Sequence, residues 1–116
     1  LLSTTQKEVG LAWAAGFFDG EGCVSRQNPH RAKSTRIRLT VGQQDDEVLL
    51  KFQEIVGYGN LCYPKTLKPN GLKWGIYLTI TSWAAAQEVM QSLWPYLGSI
   101  KRARWVELGG PDYGRN

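Results

Sequence analysis

The sequence predicts an α+β domain in which helices cover one face of a four-stranded antiparallel saddle sheet. Two observations set the sheet. Ile37, Leu39 and Val41 alternate with Arg36, Arg38 and Thr40, and further along Trp74, Ile76, Leu78 and Ile80 alternate with Lys73, Tyr77 and Thr79. Alternation of this length marks strands with one buried and one open face. The third observation is that windows of helical spacing bracket the strand pairs. The order therefore reads helix, hairpin, helix, hairpin, helix, with a short helix at the end.

The first helix is expected to open near Gln6, where Thr5 and Glu8 have the spacing of a capping box. Its second half mixes Ala12, Ala14, Ala15 and Gly16 with Trp13, Phe17 and Phe18. Small residues one turn apart, such as Ala12 and Gly16, let two helix backbones approach closely, so this stripe predicts a helix–helix contact. The helix should stop after Phe18, with Gly20 and Gly22 supplying left-handed backbone at its end. Asp19 and Glu21 are then left at its foot.

Beyond Gly22, Cys23, Ser25 and Gln27 point to one face and Val24 to the other, while parity pushes Arg26 towards a sheet edge. Asn28, Pro29, His30 and Arg31 read as the turn before the second strand. Asp45, Asp46 and Glu47 open a second helix, where the helix dipole favours acids. Val48, Leu49, Phe52, Ile55 and Val56 form its apolar face, and Gly57 ends it. A third strand over residues 60–65 is broken by Pro64, and Lys68, Pro69, Asn70 and Gly71 signal a hairpin turn. After the fourth strand, Thr81 or Ser82 caps a helix carrying Trp83, Ala86, Met90, Leu93 and Trp94, with Pro95 near its end. Lys101, Arg102, Arg104, Trp105 and Leu108 suggest a short terminal helix, and residues 109–116 read as a frayed polar tail. The whole forms one domain over residues 1–116, with an ordered core at 5–108.

Composition narrows the classes. An apolar content of 42% with five tryptophans suits a packed core and not a disordered chain. No apolar run approaches the roughly 20 residues that cross a bilayer, and no leader is visible, so an intracellular location is expected. Organelle, bacterial and phage hosts are not distinguished. Cys23 and Cys62 lack metal-ligand spacing and read as free thiols, and a single histidine argues against a histidine-based zinc site. Leu1 suggests a trimmed or internal start, which leaves room for a fused partner domain. The net charge of +4 matters less than its distribution. Arg26, Arg31, Lys33, Arg36 and Arg38 fill one acid-free window, and Lys65, Lys68 and Lys73 fill another. Two basic hairpins on one sheet predict a positive face suited to a polyanion.

Residues 14–22, Ala-Ala-Gly-Phe-Phe-Asp-Gly-Glu-Gly, resemble the signature of the LAGLIDADG homing endonucleases, and Cys23 and Val24 would begin the first strand. The predicted order agrees with that family's αββαββα unit from about residue 5 to 108. The resemblance implies that the signature helix packs against its counterpart in a second domain or subunit. It also implies that the acid in the eighth position, here Glu21, binds the divalent metal used in DNA cleavage. Glu stands where the signature's name has Asp, which keeps the charge. Asp19 is better suited to accepting hydrogen bonds at the helix end and is a secondary candidate. Gln43, with Gln44 behind it, is similar to the family's glutamine that orients active-site water. Lys101, or alternatively Arg102, matches the lysine that reaches the scissile phosphate.

On that resemblance the open sheet face would enter the DNA major groove. That face carries Ser25, Gln27, Arg36, Arg38, Thr40, Lys73, Tyr77 and Thr79, of which Arg36, Arg38 and Gln27 suit base edges, while Arg31, Lys33, Lys65 and Lys68 suit the phosphate backbone. A basic strand face is often merely solvated, but solvation alone does not explain two hairpins without an acid. Hydrolysis of a phosphodiester calls for a metal, and Mg²⁺ suits oxygen ligands and phosphate. One motif supplies one carboxylate, so a homodimer through the small-residue helix is expected, cutting double-stranded DNA at a near-palindromic site. Two other readings compete. A non-cleaving nucleic-acid-binding protein on the same scaffold, such as an intron maturase or a regulator, would bind without metal-dependent cutting. A protein-interaction module would use the helix only to dimerise, and would leave the basic hairpins unexplained.

Overall fold

The computed structural model describes residues 2–27 and 36–114. Helix α1 (Thr4–Glu21) leads into strands β1 (Gly22–Arg26) and β2 (Ile37–Gln43). Helix α2 (Glu47–Val56) precedes β3 (Asn60–Cys62) and β4 (Ile76–Ile80). Helix α3 (Trp83–Leu93), a 3₁₀ turn (Trp94–Tyr96) and α4 (Ser99–Glu107) complete the order. The strands form one antiparallel sheet in the order β1-β2-β4-β3, so the two hairpins meet along β2 and β4. The predicted α+β architecture is the one observed.

The apolar sides of the strands explain where the core sits. Val24, Ile37, Leu39, Val41, Leu78 and Ile80 are buried beneath the helices. Ala14, Ala15 and Phe18 of α1, Leu49 and Phe52 of α2, and Ala86, Val89, Met90 and Leu93 of α3 close over them. Trp105 of α4 is fully buried and stacks with Trp83 at 5.5 Å between ring centroids. Among the described residues no layer covers the other sheet face.

Local structure departs from the sequence reading in four places. The capping box belongs to Ser3 and Gln6: Ser3 Oγ accepts the Gln6 N–H at 3.1 Å, and Gln6 Oε1 accepts the Ser3 N–H at 2.8 Å. The helix therefore starts earlier than Thr5 and Glu8 suggested. At the other end it continues through Asp19 and Gly20 to Glu21, and Gly22 caps it in extended backbone (φ −83°), not left-handed. A Cβ on Gly22 would lie 2.5 Å from Phe18 Cδ1, so glycine is needed there for space. Strand β3 is only three residues long, ending before Pro64, and β4 begins at Ile76, which leaves Trp74 outside the core at 47% exposed.

The fourth departure is the chain after α4. Instead of fraying, its described part folds back: Trp105 Nε1 donates to the Pro111 carbonyl at 2.9 Å, and Trp94 Nε1 to that of Gly114 at 2.7 Å. Tyr113 meets Trp94 edge-on at 5.2 Å and donates to the Gln87 carbonyl. The expected turn at Asn28, Pro29, His30 and Arg31 lies outside the described residues. Two helix ends agree with the sequence. Gly57 ends α2 at φ +82°, and Ser82, not Thr81, caps α3 by accepting the Ala85 N–H.

Candidate active site and nucleic-acid interface

Glu21 is the last residue of α1, where unpaired carbonyls give the helix its negative end. No basic residue occupies that last turn. Among the described residues the Glu21 carboxylate has no hydrogen-bond or ion-pair partner, and it is exposed. A carboxylate placed on the negative end of a helix, with nothing to neutralise it, favours a cation. The β1–β2 register pairs Gly22 with Val41, which sets Glu21 beside the end of β2. There it shares a depression of about 480 Å³ with Gly42, Gln43, Gln44, Lys68, Trp74, Gly75 and Tyr77. The side-chain amide of Gln43 has no partner among the described residues and so is available to a ligand.

Asp19, two residues back, does different work. Both its oxygens accept the Gly98 N–H, at 2.9 and 3.2 Å. Gly98 is the N-cap of α4 and has no side chain to cap it, so Asp19 places its charge at the positive end of that helix. This ties the foot of α1 to the helix carrying Lys101.

The open face is read from the pairing. Cys23 of β1, Thr40 of β2, Thr79 of β4 and Asn60 of β3 form one cross-strand row. Ser25 and Arg38 form a second, and Gly42, Tyr77 and Cys62 a third. None of these residues is an acid, and none is buried. Beyond the sheet, the β3–β4 hairpin carries Lys65, Lys68 and Lys73, with the Leu67–Lys73 bridge holding its arms together. Lys65 and Lys73 line a second depression of about 470 Å³ with Tyr63 and Trp74. Tyr63 donates to Asp46 at 2.7 Å, and this bond to a carboxylate raises its phenol above the ordinary value. A phenol so held stays protonated and neutral.

Residues 14–99 match the family model described as LAGLIDADG endonuclease. The chain belongs to that family. Among curated relatives it is 31% identical over 87 residues to the intron-encoded DNA endonuclease ai2b of Dictyostelium discoideum, covering 73% of this chain and 31% of that protein. It is 29% identical over 104 residues to DNA endonuclease I-CvuI of Chlorella vulgaris, covering 84% of this chain and 60% of the relative. The LAGLIDADG chain described here thus spans less than two thirds of either relative. A crystal structure of I-CvuI with its DNA target and calcium superposes with a TM-score of 0.66 at 28% identity, over 87% of this chain and 64% of that one. The group I intron-encoded endonuclease I-CeuI, solved with DNA, matches in fold with a TM-score of 0.65 at 17% identity, over 93% of this chain and 54% of its own.

Against this LAGLIDADG frame the predicted site residues divide. Glu21 and Gln43 come together in one depression, with Lys68 and Tyr77 beside them. Lys101 lies on the first turn of α4 and does not line it. Arg102, its alternative, is spent within the fold: its guanidinium lies 5.3 Å from the Trp94 ring and donates to the Trp94 carbonyl. Ser25, Arg38, Thr40, Tyr77 and Thr79 lie on the open face, and Arg36 is exposed just before β2. Gln27 does not act as a free reader, since its amide nitrogen donates to the Thr81 carbonyl at 2.7 Å and bridges β1 to the end of β4. Arg31 and Lys33 fall outside the described residues.

Sequence reasoning missed Trp74 and Gly42 in the Glu21 depression and Asn60 and Cys62 on the open face. Strand parity had already set Cys23 on the face of Ser25, and its pairing with Thr40 places it there. Trp74 was hidden because its alternation with Ile76 crosses Gly75, where the strand has not yet begun. Both thiols are free, as their spacing implied. Among the described residues no three acids, histidines or cysteines gather in one place, and Glu21 is the one carboxylate of the described lining of its depression. Carboxylate and carbonyl oxygens at a helix end fit a hard divalent cation, given further oxygens from outside the chain.

Proposed function

We propose that this chain forms half of a metal-dependent, site-specific DNA endonuclease that works as a homodimer on a near-palindromic duplex. The observation that carries the proposal is Glu21: an unpaired carboxylate at the negative end of α1, in one depression with Gln43, beside a sheet face free of acids. The solved relative I-CvuI was crystallised on DNA with calcium and with magnesium, which supports both the polyanion and the ion class.

In this reading Glu21 and its symmetry mate would hold the divalent ion. The bound ion would activate water and offset the charge that develops at phosphorus. Gln43 hydrogen-bonds and orients the attacking water. Lys101 approaches the phosphate from α4, whose position Asp19 fixes. Arg38, Ser25, Thr40 and Thr79 meet base edges, and Arg36, Lys65 and Lys73 meet the backbone.

The test is a cleavage selection. The protein, the Glu21→Gln variant and an EDTA control are each incubated with a large randomised duplex library and Mg²⁺. Near-palindromic products that disappear in both controls are expected. Glu21→Gln should lose cutting while keeping DNA affinity within a few-fold. DNA retained without any cutting would instead assign the scaffold to nucleic-acid binding alone.

A further inference from the structure

We infer that Lys68, delivered by the β3–β4 turn, is a further active-site cation that acts on the phosphate being cleaved, and that Trp74 positions it. The inference rests on the endonuclease reading above and adds to it. Of the described residues lining the Glu21 depression, Lys68 is the sole cation; Gln43, Gln44, Trp74 and Tyr77 are uncharged. A phosphodiester reacting there gathers negative charge on its oxygens. An ammonium fixed in advance at that place stabilises this charge without reorganising during the reaction.

Fixing is what the structure provides. The turn is built tightly: the Gly71 N–H donates to the Lys68 carbonyl at 2.8 Å, and the Lys68 N–H to that of Leu72 at 2.8 Å. Asn70 Oδ1 accepts the Leu72 N–H at 3.1 Å, and Gly71 takes the left-handed φ of +82° that the turn requires. From this base Lys68 extends over the exposed Trp74 ring, with Nζ 5.3 Å from the centroid. That distance is within the cation–π range, so the indole face restrains an otherwise mobile side chain. Trp74 forms part of the wall of both depressions and leaves Lys68 on the Glu21 side. Lys65, on the same hairpin, lines only the other depression. The two lysines should therefore differ in role: Lys65 binds backbone phosphate, and Lys68 contributes to the chemical step.

The experiment uses the cleavable duplex from the selection. It measures the rate of cutting at saturating protein with Mg²⁺, and the dissociation constant in EDTA, for Lys68→Met, Lys68→Arg, Lys65→Met, Trp74→Ala and Trp74→Phe. Loss of a fixed charge at a transition state costs about 100-fold in rate. Lys68→Met should therefore slow cutting of bound DNA about 100-fold, with a dissociation constant no weaker than that of Lys65→Met. Lys68→Arg and Trp74→Phe should recover most of the rate that Lys68→Met and Trp74→Ala lose. A Lys68→Met protein that cuts bound DNA at the wild-type rate overturns the inference, as does one that loses affinity alone. Wild-type protein that cuts nothing overturns the endonuclease reading and this inference together. Wild-type cutting that survives Lys68→Met overturns this one only.

Discussion

At Gly42 a Cβ would come within 2.8 Å of Tyr77 Cε1, so the tyrosine ring lies across the backbone of the neighbouring strand. The missing side chain sets the floor of the Glu21 depression and aims a half-exposed phenol along the open face. Gly42→Ala should force the ring aside at little cost to folding, because Tyr77 can swing towards solvent. The expected result is a melting temperature within a few degrees of wild type and DNA affinity lowered about fivefold, the equivalent of about 1 kcal/mol of lost contact. A thermal melt with a binding titration decides it, and unchanged affinity would remove Tyr77 from the interface. Gly42 shows why part of the site was not legible in the sequence. Its role depends on a residue paired with it only once β2 and β4 have met. Arg38 and Thr40, by contrast, were legible because strand parity alone assigns them to a face.

Asp19 links two elements, and only part of its role was legible in the sequence. A carboxylate at a helix end was expected to accept hydrogen bonds, but the donor, Gly98 at the head of α4, lies far along the chain. Asp19→Ala would leave the start of α4 without its acceptor. A hydrogen bond to a charged group is worth about 1.5–3 kcal/mol, and its partial exposure here favours the lower figure. The expected outcome is a modest drop in denaturant midpoint, with faster amide exchange concentrated in the first turn of α4. Uniform exchange across all helices would argue against a local tie. If Lys101 serves the phosphate, cutting should also slow by more than the stability loss explains. Helices α2 and α3 were legible because their apolar stripes face a core that the strand alternation had already located. The ends of α1 and the segment after α4 were not. Ser3 outcompetes Thr5 as a cap, the helix runs on past Gly20 to Glu21, and Trp94 and Trp105 draw a polar tail onto the fold through their indole N–H groups.

At the scale of the whole molecule the unresolved demand is on α1. Ala12, Gly16 and Gly20 repeat every four residues along it and are all exposed. A Cβ at Gly16 or Gly20 would meet nothing within 4 Å among the described residues, so the described core does not need either glycine. Glycine inside a helix costs about 1 kcal/mol relative to alanine, a cost that folding of the single chain does not offset. Close approach of a second helix would offset it, and the single carboxylate at the helix foot calls for the same partner. The proposed homodimer thus meets a structural and a chemical requirement through one interface. Gly16→Leu separates them from folding: the monomer should be as stable as wild type or slightly more so, because leucine is the better helix former. Its bulk on the smooth stripe should nevertheless hold two helices apart. Sedimentation at micromolar protein is expected to show wild type at twice the chain mass and Gly16→Leu at one. Double-strand cutting of a palindromic duplex should disappear in the variant, while weak, salt-sensitive binding to one half-site persists, since each sheet keeps its own basic face. A wild-type chain that sediments as a monomer even on its cleavable duplex would overturn the homodimer. The second carboxylate would then have to come from a different chain or from a further domain.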